Sequence, residues 1–157
     1  MLGPNPVEEN MEPGKGDKLW LGFSTVAGMV ALVLGCAVFA GWLFELRLLK
    51  SLLPDTVSMK ANTALAFVLA GASLALLSGG TRQPGRKRLG QLFGLLVAMI
   101  GGLTLCEYLF GWNLRIDELL FKDDPNAAAT TIAGRMAPST AVSFLLLGLA
   151  LMGLKWE

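Results

Sequence analysis

Apolar residues run almost without interruption through four stretches of this chain: Leu19 to Phe44, Ala61 to Ser78, Leu89 to Gly111 and Pro138 to Leu154. Polar residues collect between them. A helix needs roughly 20 apolar residues to cross a hydrocarbon layer about 30 Å thick, so the pattern predicts four transmembrane helices. Between the first two, Leu46, Leu48, Leu49, Leu52 and Leu53 alternate with Arg47, Lys50 and Ser51. Between the last two, Ile116, Leu119, Leu120 and Phe121 alternate with Arg115, Asp117 and Glu118. Both runs predict short amphipathic helices lying flat at the membrane interface. The leader, residues 1–18, is rich in Pro, Gly and acid and reads as flexible. The run KDDPNAAATT from Lys122 reads as a polar loop.

The second and fourth stretches are nearly the same line. MKANTALAFVLAGASLALLS aligns without a gap on MAPSTAVSFLLLGLALMGLK, with Met59, Thr63, Ala64, Phe67, Gly71 and Leu74 matching Met136, Thr140, Ala141, Phe144, Gly148 and Leu151. The segments ahead of them also match, Trp42-Leu43-Phe44 before Arg47 and Tyr108-Leu109-Phe110 before Arg115. The chain therefore reads as an all-α, polytopic membrane protein. Two parallel helix/outer-segment/helix repeats, residues 19–78 and 89–155, lie in one domain, 19–157. Asn62-Thr63 and Ser139-Thr140 are placed to cap the two returning helices.

Composition agrees with the membrane reading, since 54% of the 157 residues are hydrophobic and only 16% charged. The loop after the second span carries Arg82, Arg86, Lys87 and Arg88 and no acid, which places it and both termini in the cytoplasm by the positive-inside rule. Trp20, Trp42, Trp112 and Trp156 fall where spans meet the headgroups. The first span lacks a small-x-small cleavage site and is expected to be retained.

Two sets of residues stand out within this plan. Gly90, Gly94, Ala98, Gly102 and Cys106 recur every four positions along the third span, with a shorter stripe of Ala27, Ala31 and Gly35 in the first. Small residues at that spacing let helices approach closely in lipid. At the outer side, Arg47, Glu107, Arg115, Asp117 and Glu118 are the candidates for a polar cap that contacts a ligand or partner. Glu107, the one ionisable residue well inside a span, is expected to reach headgroup water or to pair with Arg115 or Arg47.

The chemistry is otherwise sparse. There is no histidine, Cys36 and Cys106 form no C-x-x-C pair, and no phosphate loop or nucleophile elbow is present. No catalytic residue, metal ligand or cofactor motif is evident, and a net charge of +1 does not suggest nucleic acid.

The phrases MKANTALAF, YLFGWNLRIDELLF and GRMAPSTAVSFLLLGLAL together resemble the N-terminal membrane region of bacterial PAS-containing sensor histidine kinases and diguanylate cyclases. The likeness covers Leu19 to Leu154, with Ala61 where that family has proline. It implies a signal-input module of the bacterial inner membrane that acts without catalysis, as a homodimer or beside other membrane subunits. No PAS, kinase or cyclase domain follows within these 157 residues, so a stand-alone accessory subunit of a respiratory or photosynthetic complex is the alternative. A small transporter fits worse, because the spans offer little polar path.

Overall fold

The computed structural model of the chain describes residues 15–50, 58–78, 83–121, 132 and 134–154. Among them are five helices and no strand: α1 Lys15–Leu43, α2 Arg47–Lys50, α3 Ala61–Ser78, α4 Pro84–Phe110 and α5 Pro138–Gly153. Three segments are long and apolar enough to cross a membrane, Gly22–Leu43 of α1, α3 and α4. At 16 residues α5 is apolar but shorter, about 24 Å at the usual rise per residue.

Local signals explain where the helices stop. Pro84 and Pro138 each open a helix, where proline's missing N–H costs nothing and its fixed φ is already helical. Gly111 ends α4 in the left-handed conformation, at φ 65°. Helix α1 begins at Lys15, inside the leader expected to be flexible, and α4 begins five residues ahead of the expected Leu89. The amphipathic run at Leu46 condenses to the single turn α2, with residues 51–57 outside the described set. Over Arg115 to Phe121 the expected interfacial helix does not form, and the chain bends and turns instead. Arg115 stands at φ 56°, a left-handed value that breaks any helix passing through it.

The helices pack as two antiparallel hairpins, α1 on α3 and α4 on α5, joined along α3 and α4. Helix α5 touches α3 lightly, and α1 does not touch α5 among the described residues. We call the end where α1 and α4 finish and α3 and α5 begin the upper end.

Glycines close both hairpins. A Cβ on Gly35 would lie 2.8 Å from both Ala64 O and Val68 N, and one on Gly101 would lie 2.5 Å from Ala141 O and 2.7 Å from Leu145 N. Lower down, Gly28 faces Gly71 and Leu74, while Gly94 faces Gly148 and Leu151. The close approaches are thus spaced by seven residues, not four. Each step of four along a helix advances about 40° around it, so a ladder of five sweeps roughly 160° and cannot face one neighbour. Accordingly Gly90 meets Leu77 of α3, Gly94 and Ala98 meet α5, and Gly102 has only Leu145 Cδ1 at 3.6 Å. Cys106 is half-buried, Ala31 is half-buried and Ala27 is exposed, so Gly28 takes the packing position expected of Ala27.

Interhelical hydrogen bonds add to this packing, as they do where lipid removes the hydrophobic drive between helices. The Ser73 hydroxyl donates to Gly90 O at 2.7 Å between α3 and α4, and Gln91 Nε2 donates to Met152 O at 3.1 Å between α4 and α5.

Candidate functional site

The upper end holds a buried ionic cluster. Glu107, in the last turn of α4, is 1% exposed, and a carboxylate so placed needs a cation. Arg135, three residues ahead of α5, supplies it. Its Nη2 lies 3.3 Å from Glu107 Oε2, an ion-pair distance without hydrogen-bond alignment, and its Nε lies 2.6 Å from Asp117 Oδ2. The second contact is a short charge-assisted hydrogen bond, so Asp117 is the closer partner. Glu107 Oε1 accepts the N–H of Leu114 at 2.8 Å, which curls the chain back over the end of α4.

Two further groups tie the cluster to the bundle. Asn62 Nδ2 donates a long bond of 3.4 Å to Asp117 Oδ1, while its Oδ1 accepts the N–H of Thr63 at 2.8 Å. The Arg135 guanidinium also lies 5.3 Å from the Tyr108 ring centre, and the Tyr108 hydroxyl donates to Met136 O at 3.0 Å. Asn62 begins α3, Glu107 and Tyr108 end α4, and Arg135 leads into α5. One side-chain network therefore spans three helix ends.

The backbone makes this meeting possible. Arg115 turns left-handed, its N–H bonded to Asn113 Oδ1 at 3.2 Å, and two residues later Asp117 is buried. Gly134 adopts φ 74° and lies so close that a Cβ would stand 2.8 Å from Asp117 O. Only glycine combines that left-handed angle with that approach, and it delivers Arg135 to the carboxylates.

Of the residues singled out by sequence, Glu107 and Asp117 come together here. Arg115 and Glu118 are exposed and outside the cluster, and the side chain of Arg47 lies outside the described set. Glu107 pairs not with Arg115, which is exposed, but with Arg135, which sequence reasoning missed. The available signal was a lone basic residue between the polar loop and an apolar helix, on the same side as the buried acid.

Asn62, in the first turn of α3, accepts the first-turn N–H of Thr63 as expected of a capping side chain, whereas α5 starts from Ala137 with no side-chain cap, Ser139 and Thr140 lying within its first turn. Trp42 is buried, with Nε1 donating to Met59 O at 2.9 Å and its ring 5.8 Å from that of Phe121. Trp20 and Trp112 are exposed, and Trp156 lies outside the described residues. Cys36 and Cys106 are both free thiols. Comparison with protein families, with characterised proteins and with solved structures finds no match to this chain.

Proposed function

We propose that the chain is a non-catalytic membrane module of signal-input type, with four spans arranged as two copies of one hairpin. In this reading the upper end faces out of a bacterial inner membrane, and both termini face the cytoplasm. The observation that carries the proposal is the cluster of Arg135, Glu107, Asp117 and Asn62, which links the starts of α3 and α5 to the end of α4. A change there alters the relative position of the two helices that run back toward the opposite side.

Matched contacts support the two-copy reading. Trp42 donates to Met59 O as Tyr108 donates to Met136 O, and Gly35 against Ala64 and Val68 is answered by Gly101 against Ala141 and Leu145. Phe67 and Phe144, which align in the two lines, meet edge to face at 5.3 Å. The phrases shared with the membrane regions of PAS-containing sensor kinases and cyclases support the input role.

The test is a fusion of the full chain to a histidine kinase output domain, carried in cells. Asp117→Asn and Arg135→Lys are expected to shift kinase output while the fusion still inserts. Unchanged output from inserted variants would sink the proposal. Stoichiometric co-purification of the unfused chain with a redox or light-harvesting complex would replace it with the accessory-subunit reading.

A further inference from the structure

A groove of about 910 Å³ lies between α1 and α5. Because those two helices do not touch, it opens sideways toward the surroundings of the bundle. Its deeper lining is apolar, with Leu34 and Val38 of α1, the Phe67 and Phe144 pair, and Leu147 of α5. Toward the upper end the lining becomes polar and basic, through the hydroxyls of Ser139, Thr140 and Ser143 to Lys50 and Lys60. No Asp or Glu is among the described residues that line it.

The open seam has a closed counterpart. Ala66 and Ala70 of α3 are buried in the core with Val97 of α4. Ser143 and Leu147 hold the matching places on α5, and both are exposed. Small residues close the first seam, whereas a leucine in place of Ala70 keeps a helix from approaching the second as closely.

We infer that this groove binds a phospholipid with an anionic headgroup, its acyl chain along Leu34, Val38, Phe67 and Leu147 and its phosphate at the end carrying Lys50. The volume falls within the range of ligand sites, about 300–1,000 Å³. The polarity order matches an amphiphile aligned with the bundle. Lys50 is held in place over Trp42, 4.3 Å from the ring centre, and contributes positive charge beside the groove. Arg135 also lines it, but its charge is already met by Glu107 and Asp117. Helix α5 adds a favourable field, since it begins from Ala137 without a side-chain cap and a helix N-terminus suits phosphate.

The inference rests on the membrane reading above and names the class of molecule that its input end would sense. The full chain, purified in neutral detergent, is titrated with phosphatidylglycerol, phosphatidylcholine and inorganic phosphate, read by native mass spectrometry and unfolding midpoint. Phosphatidylglycerol is expected to bind saturably and more tightly than phosphatidylcholine, and inorganic phosphate not at all. Lys50→Gln should weaken phosphatidylglycerol binding about fivefold, the factor for one basic side chain near an anionic surface. Ser143→Leu, at an exposed position, should narrow the groove and weaken binding without lowering the unfolding midpoint. Equal affinity for the two lipids, undiminished binding to Ser143→Leu, or equal binding of inorganic phosphate overturns the inference. So does a cross-link between copies through cysteines at Leu34 and Ser143, which would give the groove to a second copy. Lipid binding that persists while the kinase fusion stays silent would remove the signal-input reading and leave the site.

Discussion

Arg135 Nε approaches Asp117 Oδ2 to 2.6 Å across 18 positions of chain, and both side chains are almost fully withdrawn from solvent. The pair closes the long connection between α4 and α5 into a loop whose two ends are fixed against each other. Removing the cation would leave two buried carboxylates facing each other. Arg135→Ala is therefore expected to cost about 3–5 kcal/mol. Glu107→Gln keeps an acceptor for Leu114 and should cost less, about 1.5–3 kcal/mol. Unfolding midpoints in detergent check the order, and equal losses would mean that the Glu107 charge alone accounts for what Arg135 contributes.

Glycine substitutions separate the packing faces of α4. Gly148→Ala drives a methyl into the Ala98 backbone, and Gly101→Ala drives one into Ala141 O. Each is expected to destabilise by about 1–3 kcal/mol, the usual range for overpacking. Gly102→Ala meets only one flexible leucine atom at 3.6 Å and should change stability by less than about 0.5 kcal/mol. Comparable effects at positions 101 and 102 would contradict the seven-residue spacing.

Trp42 and Tyr108 each hold the carbonyl of a methionine just ahead of a returning helix. Tyr108→Phe deletes one such bond and keeps the ring under Arg135, so a loss of about 0.5–1.5 kcal/mol is expected. Trp42→Phe also replaces the indole platform under Lys50 with a smaller, weaker one and should lose more. A neutral Tyr108→Phe would show that the hydroxyl finds an equivalent partner elsewhere.

Orientation is open to direct labelling. With Cys36 and Cys106 replaced by alanine, a cysteine at the exposed Trp112 should react with an impermeant maleimide added outside intact cells. A cysteine at Gln83, beside the basic start of α4, should stay protected until the membrane is opened. The reverse pattern would invert the proposed topology.

The helices were legible because apolar run length is a direct record of them: α3 spans Ala61–Ser78, as its apolar stretch suggests. The turn at Arg115 was not, since its alternation of polar and apolar residues satisfies a helix as well as a bend. The left-handed backbone there follows from burying Asp117 and curling Leu114 onto Glu107, which are tertiary demands. The same limit hid Arg135. A buried acid calls for a cation, but the sequence pattern pointed to Arg115 or Arg47, and it is the close approach of Gly134 to Asp117 that brings Arg135 there. The small-residue ladder misled for a geometric reason, because glycines at intervals of four are conspicuous in a line of text and wind around the helix in space.

Gly28 and Gly35 find their close contacts within residues 64–75, and Gly94 and Gly101 within 141–152, so neither hairpin borrows the other's glycines to close itself. The first hairpin therefore has every residue of its seam once α3 has emerged from the ribosome, before α4 follows it out. Insertion is expected to proceed in two instalments, each leaving a paired unit in the bilayer, with the Ser73 to Gly90 bond and the Arg135 cluster joining them afterwards.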